Sequence, residues 1–391
     1  MTSSPPPTKL QIPVVSIIPG IGEAVRKQLS SPTASSLASK LYQSSKLEIL
    51  DFPLPVIDPL NVSKKQSLEE LVDIASSSSS SSSLPPKWKL DLMQQQILQD
   101  AEILLMDAHL AAPLLLAPKT NLPIELQHLL KKVQWVQGTY AGVESYHQYR
   151  DAPADPGFTV SRAGGIMPKA VTQFVFGYVI AIERRLFEAQ EYQKKRVFGR
   201  YELKYRSFQQ VTIGILGLGE IGQEMGRIFK ASGFHVVGFK RHVSDGERQA
   251  LLLSADHTST DLTEVLEQSD YVVNVLPSTD ATRYLLTEHM LEHCRKRQPV
   301  FINVGRGDII SEKTIIAALD TGLLSKAVLD VFEQEPLPKE SPLWTHPKVI
   351  VTPHIAGTVF PEDVADVFVR NLDRRIEGKE VLYQMDWSNG Y

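Results

Sequence analysis

The sequence predicts an α/β protein of two lobes, each built on a doubly wound parallel sheet. Three observations predict it. At ~150 residues per domain, 391 residues make two domains with ample core. Apolar runs of strand length alternate with helical stretches along most of the chain. The stretch VTIGILGLGEIGQEMGRIFKASGFHVVGF at 211–239 reads strand, glycine turn, helix and strand in quick succession, the unit from which such sheets are wound.

The elements follow in order. IPVVSIIP at 12–19 is β-branched and bounded by prolines, 21–43 carries a looser helical pattern, and KLEILDFP at 46–53 is a second strand, so the chain opens as βαβ. Residues 54–90 contain eight consecutive serines at 76–83 followed by Leu84, Pro85 and Pro86, a composition that buries no core, and 76–86 reads as a disordered loop. Apolar runs of strand length resume at 101–116, AEILLMDAHLAAPLLL, and at 133–144, VQWVQGTYAGVE. PKAVTQFVFGYVIAIERRL at 168–186 has Pro168 near its start, helical spacing, and Arg184 and Arg185 near its end, as expected of a helix joining two lobes.

Composition excludes several classes. Hydrophobic residues at 42% and charged residues at 22% are ordinary globular usage. The 41 basic against 45 acidic residues give a net charge of −4 with no dominant basic cluster, which disfavours a nucleic-acid partner. The single cysteine, Cys294, excludes an internal disulfide framework and a multi-thiolate metal site and fits a reducing, cytoplasmic setting. No apolar run approaches the ~18 residues of a membrane span.

Gly217, Gly219 and Gly222 form G-x-G-x-x-G between a strand and a helix, the setting in which that spacing holds a dinucleotide. The first glycine permits the tight turn, the second lets a pyrophosphate approach the backbone, and the third lets the helix pack closely. The N–H groups of Leu218, Glu220 and Ile221 complete the phosphate cradle. About 20 residues on, NAD-binding chains place an acid that accepts from the ribose 2′-OH. Lys240, Arg241 and His242 stand there instead, and a cation suits a 2′-phosphate, so NADP is favoured and NAD stays open.

Downstream, three strands end in chemically loaded segments. FINVGRGDII brings Arg306, KAVLDVFEQEP brings Asp330, Glu333 and Glu335, and KVIVTPHIAG brings His354. The carboxyl ends of strands in an open parallel sheet lie on one side, so a cation, a carboxylate and an imidazole share one crevice, an acid/base site with an anion clamp.

With TYAGVE, GLGEIG, NVGRG, DVFEQEP and TPHIAG in this order, the chain resembles the D-isomer-specific 2-hydroxyacid dehydrogenase family from about 101 to 371, and within it the glyoxylate/hydroxypyruvate reductase branch. The resemblance implies two Rossmann-like lobes, with the NAD(P)-binding lobe, 164–353, inserted into a discontinuous substrate lobe of 1–163 completed by 354–391. PEDVADVFVRNLDRRIEG at 361–378 has the periodicity of the helix that returns the chain. Hydride transfer between nicotinamide and a small 2-oxo or D-2-hydroxy acid is the implied reaction, in a homodimer without a metal. His354 is the implied general acid, Glu335 its partner and Arg306 the substrate clamp. Asp330 is implied to orient the nicotinamide amide, Pro277 is implied among the cofactor-binding residues, and backbone N–H groups around Tyr140, Ala141 and Gly142 are implied to receive the substrate carboxylate. Thr282 matches a family position near the cofactor but reads equally as a helix cap. Two alternatives stand beside the reductase: an NAD-linked, phosphoglycerate-type dehydrogenase, and a non-catalytic dinucleotide-sensing protein like the corepressor relatives of this fold.

Other clusters read as surface. His289 and His293 are four apart beside Cys294, a spacing that can bind zinc, but no third ligand is evident. Glu333, close to Glu335, reads as a bland neighbour outside the site.

Overall fold

The computed structural model describes residues 9–31, 35–52, 90–116, 128–143, 145–146 and 156–387. The expected disordered loop at 76–86 lies outside them. The chain forms two compact units, Met1–Ile166 with Val359–Tyr391, and Met167–Thr358.

In the first unit β1 (Leu10–Val15), β2 (Leu47–Asp51), β3 (Ile103–Met106), β4 (Trp135–Gly138) and β5 (Thr159–Ser161) form a parallel sheet in the order β2-β1-β3-β4-β5. All four residues of β3 and of β4 are buried, as strands covered by helices on both faces must be. One covering helix is Pro361–Ile376, which begins with proline at its first turn and buries Val364, Phe368 and Leu372 at helical spacing. It packs with helix Ile21–Ser30 in one core, and Phe368 stacks on Trp135 with ring centroids 5.7 Å apart. Full burial of a phenylalanine stabilises by about 1.5–3 kcal/mol, so this contact anchors the returning helix to its sheet.

The apolar run 101–116 is a strand only as far as Met106. Asp107 ends it, its carbonyl accepts from Leu110 and Ala111, and Ala108–Leu116 is a helix with Pro113 inside. Alanine and leucine favour helix strongly, and apolarity alone does not separate the two states.

The second unit is a seven-stranded parallel sheet of β6 (Thr212–Leu216), β7 (His235–Phe239), β8 (His257–Ser259), β9 (Tyr271–Asn274), β10 (Val300–Asn303), β11 (Lys326–Leu329) and β12 (Val349–Val351). Its order is β12-β11-β10-β9-β6-β7-β8, which reverses direction between β6 and β9. Ligands of doubly wound sheets bind beyond the carboxyl ends of the strands at such a reversal. The helix expected at 168–186 spans Met167–Glu183, and a second one, Leu186–Lys194, begins after Arg185 takes a left-handed φ of 51°. The strand expected through 336 stops at Leu329. The units part after Ile166 and Thr358 rather than at 163/164 and 353/354, because Asp330 ties the segment after β12 into the second unit. Among the described residues, no helix is long and apolar enough to cross a membrane.

Candidate active site

The glycine turn follows β6. Gly217 has φ +108°, where a side chain is strained, and its N–H donates to the Phe239 carbonyl at 3.0 Å. A Cβ on Gly222 would stand 1.9 Å from the Gly217 carbonyl oxygen, so only glycine lets helix Glu220–Ala231 start this close to the turn. A Cβ on Gly219 would meet nothing within 4 Å, and no side chain caps the helix. Open space above the second glycine, facing the free N–H groups of a helix start, fits a dinucleotide pyrophosphate. The Leu218 side chain is buried beneath Gly238, so this residue can offer only its backbone, while Glu220 is exposed and Ile221 half-buried.

At the end of β7, Lys240 is not a free cation. Its Nζ pairs with Glu247 Oε1 at 2.6 Å, while Arg241 is exposed. At the end of β9, the Pro277 carbonyl accepts from Thr282 Oγ1 at 2.6 Å, and Thr282 Oγ1 accepts from the Thr279 N–H at 2.8 Å. Thr282 thus braces a turn and caps no helix.

Beyond β10, Asn303 Nδ2 donates to the Arg306 carbonyl at 3.0 Å and Asn303 Oδ1 accepts from Asn274 Nδ2 at 2.8 Å, which fixes the start of the arginine segment. Arg306 is half-buried, with Nη1 on the Gly305 carbonyl at 2.8 Å.

The ends of β11 and β12 are joined by one buried carboxylate. Asp330 Oδ1 accepts from Thr352 Oγ1 at 2.5 Å and the Ile355 N–H at 2.9 Å, and Oδ2 from the Ala356 N–H at 2.9 Å. Its carbonyl accepts the His354 N–H at 2.9 Å. These bonds hold His354 at φ +55°, a left-handed backbone that a non-glycine residue keeps only when its surroundings impose it. From there His354 Nδ1 meets Glu335 Oε2 at 2.8 Å, and Glu335 Oε1 accepts the Phe332 N–H at 3.0 Å. Burial pushes the Glu335 carboxyl up. The His354 hydrogen bond and charge, the Phe332 N–H and the Arg306 charge outweigh it and hold the group below the ordinary glutamate range. With Nδ1–H assigned to the carboxylate, Nε2 is the ring atom that can exchange a proton with a substrate, and the ring is 53% exposed. Arginine, carboxylate and imidazole thus follow three neighbouring strands of one sheet.

A family model described as the NAD binding domain of D-isomer specific 2-hydroxyacid dehydrogenases matches residues 176–356. Over these residues, a little under half of the chain, the protein is similar to the D-isomer specific 2-hydroxyacid dehydrogenase family. It is similar to the glyoxylate/hydroxypyruvate reductase A of Salmonella choleraesuis, 33% identical over 183 residues, 47% of this chain and 57% of the relative's length. The match therefore spans little more than half of that relative. A D-isomer specific 2-hydroxyacid dehydrogenase family protein of Aeromonas salmonicida has the same architecture at a TM-score of 0.69 and 29% identity, covering 97% of this chain and 100% of that one. An NADPH-dependent glyoxylate/hydroxypyruvate reductase of Sinorhizobium meliloti, solved with NADP and sulfate, shares the fold at a TM-score of 0.66 and 23% identity, covering 98% and 100%.

The end of β4 in the first unit carries the remaining segment of interest. Tyr140, Ala141 and Gly142 follow Thr139, whose hydroxyl donates to Asp107, a fully buried carboxylate at the end of β3. Asp107 also accepts Ser16 Oγ at 2.6 Å and the Ile17 N–H at 2.8 Å, so one carboxylate fastens the ends of β1, β3 and β4 where the sheet order reverses. Burial first, and then the Asp107 charge, push the Tyr140 phenol above the ordinary tyrosine range.

Among the described residues no group of His, Cys, Asp and Glu could hold a metal ion. His293 pairs with Glu267 at 2.7 Å, and Cys294 is buried with its thiol pushed up to about 12 by desolvation. Asp330 as keeper of the histidine turn, Asp107 as fastener, and Glu247 as partner of Lys240 were not read from the sequence. Each acts on groups whose proximity only the folded sheet creates.

Proposed function

We propose that this protein is an NADPH-dependent reductase of small 2-oxo acids, glyoxylate or hydroxypyruvate, forming the D-2-hydroxy acid. The observation that carries the proposal is the 2.8 Å contact between His354 Nδ1 and Glu335 Oε2, beside Arg306 at the carboxyl ends of a dinucleotide-type sheet. The reduced nicotinamide supplies the hydride to the keto carbon when bound.

The chain's own residues do the rest. Backbone N–H groups of Leu218 to Gly222 and the helix start bind the pyrophosphate, and Lys240 with Arg241 takes the 2′-phosphate. Asp330 would orient the nicotinamide amide, and Pro277 would contact the cofactor. Tyr140, Ala141 and Gly142 offer backbone N–H groups to the substrate carboxylate. The Arg306 guanidinium, always charged, polarises the keto oxygen and clamps the acid. His354 gives its Nε2 proton to the developing alkoxide, while Glu335 holds Nδ1–H and stabilises the protonated ring. Acid catalysis of this kind contributes ~10²- to 10⁴-fold.

The reading extends to a homodimer in the cytosol. It is supported by the exposed apolar side chains Phe198 and Tyr201, which a second subunit would cover, and by a lone, buried thiol that suits a reducing compartment. Light scattering on the purified chain tests the dimer.

The activity is tested by initial rates of NADPH absorbance loss with glyoxylate, hydroxypyruvate, pyruvate and phenylpyruvate, with NADH in parallel and His354→Ala as control. Turnover of the first two acids that prefers NADPH and vanishes in the variant is expected. A clear NADH preference overturns the cofactor assignment. Tight dinucleotide binding without turnover of any acid, together with dinucleotide-dependent assembly, would move the reading to a sensing protein.

A further inference from the structure

We infer that Glu247 sets how strongly this chain distinguishes a dinucleotide bearing a 2′-phosphate from one bearing a free 2′-hydroxyl, by holding Lys240 in a fixed ion pair at the end of β7. The inference rests on the cofactor reading above.

Lys240 is the first residue beyond β7, and its N–H donates to the Ser259 carbonyl at 3.0 Å, which sets the direction of the chain. Its side chain, 25% exposed, reaches Glu247 Oε1 at 2.6 Å. An isolated surface pair of this kind would wander and count for little. This one is pinned, because Glu247 Oε2 also accepts the Ser244 N–H at 3.1 Å and Ser244 Oγ at 3.0 Å, in the capping box that starts helix Asp245–Leu251. The three hydrogen bonds hold the carboxylate well below the ordinary glutamate range, at about 2, so it is an anion at every working pH. Its place is set by the backbone at Ser244, whatever Lys240 does.

Two consequences follow for a ligand. A 2′-phosphate, carrying about −1.5 to −2 charges, meets a lysine already neutralised and a fixed like charge beside it. Among the described residues, Arg241 is exposed and has no ion pair, so it offers the phosphate a cation. A free 2′-hydroxyl instead finds an ionised acceptor, the partner that NAD-binding sheets place at the end of the second strand. Here that acceptor arrives from the next helix. The site holds a partner for either ribose, and Glu247 sets the balance between them.

Glu247→Gln tests this, since glutamine keeps an oxygen for the Ser244 N–H and removes only the charge. Calorimetric titration of the full chain with NADP⁺ and with NAD⁺, without substrate, reads binding directly. The expected result is a NADP⁺ dissociation constant ~10-fold lower and a NAD⁺ constant unchanged or higher, with the gain shrinking in 1 M salt, where screening acts over ~3 Å. Constants for both ligands within twofold of the parent overturn the inference. Lys240→Gln separates the two failures. If it weakens NADP⁺ while Glu247→Gln changes nothing, the cofactor reading stands and the role of Glu247 falls; if neither variant moves either constant, both fall. Adding Lys240→Gln to Glu247→Gln should cost more than it costs in the parent, because Lys240 is unpaired in the Glu247→Gln variant.

Discussion

Replacing Asp330 with asparagine should cripple turnover through the position of His354. The Asp330 carboxylate is 1% exposed and accepts two donors on Oδ1 and one on Oδ2. An amide of the same shape has one acceptor oxygen. In its better orientation it keeps Thr352 and Ile355 and turns its NH2 against the Ala356 N–H, which loses its partner. A bond to a charged acceptor contributes about 1.5–3 kcal/mol, and a buried donor left unmade costs a similar amount that overlaps with it. About 2–3 kcal/mol then favours relaxation of a turn that already holds His354 at φ +55°. At 1.36 kcal/mol per tenfold, the equilibrium between the held and the relaxed turn shifts by roughly 30- to 150-fold toward the relaxed one. Initial rates with saturating NADPH and glyoxylate should show a loss in kcat of up to that factor, while the NADP⁺ dissociation constant changes by less than about threefold, because the glycine turn that holds the pyrophosphate is untouched and Asp330 orients rather than anchors the nicotinamide. A kcat within threefold of the parent, with a lowered melting temperature, would refute the reasoning: Asp330 would then hold the fold and not the geometry of the histidine.

Three further outcomes are expected. Glu335→Gln should lower kcat on the order of 10²-fold. Because the native pKa of Glu335 is depressed, its interaction with His354 is complete above the ordinary glutamate value and is lost as pH falls through the lowered one; the parent's acid limb from this group should lie below the ordinary range and be missing from the variant's pH–rate profile. Gly222→Ala, with a Cβ 1.9 Å from the Gly217 carbonyl oxygen, should raise the NADP⁺ dissociation constant at least ~10-fold by calorimetry, and unaltered binding would show that the turn is not the cradle. Cys294, buried with its thiol pushed up to about 12, should resist a disulfide reagent in the native protein at pH 8 and react once the chain is unfolded.

The legible parts of the sequence were those whose geometry is local. A strand, three glycines and a helix within 211–231 constrain one another through adjacent backbone, so the spacing of Gly217, Gly219 and Gly222 already implies the turn that the sheet displays. Parallel strands at regular spacing likewise imply a wound sheet. The run at 101–116 was not legible, because burial on both faces erases the periodicity that separates strand from helix, and only Asp107 marks the change. Lys240 illustrates the other limit. Its type and position suggested an open cation, yet its charge is answered by a residue seven positions on, across a turn whose path depends on the Ser244 cap.

The two glutamates of DVFEQEP make the same point more sharply. Alternation along an extended strand would put Glu333 and Glu335, two residues apart, on one face; instead the two part company, since β11 has ended at Leu329. Glu335 is turned back by the Phe332 N–H, which binds Oε1 and leaves Oε2 for His354. Glu333 is drawn away because its Oε2 accepts the Glu312 N–H at 2.6 Å, at the start of helix Glu312–Asp320, and because the Tyr284 hydroxyl also bonds it. A carboxylate at a helix start is favoured by the free N–H groups and dipole there, so Glu333 has a partner that competes with any histidine. The choice of Glu335 as the imidazole's partner is therefore made by two backbone N–H groups, at Phe332 and at Glu312, neither of which is specified by the side chains of the motif itself.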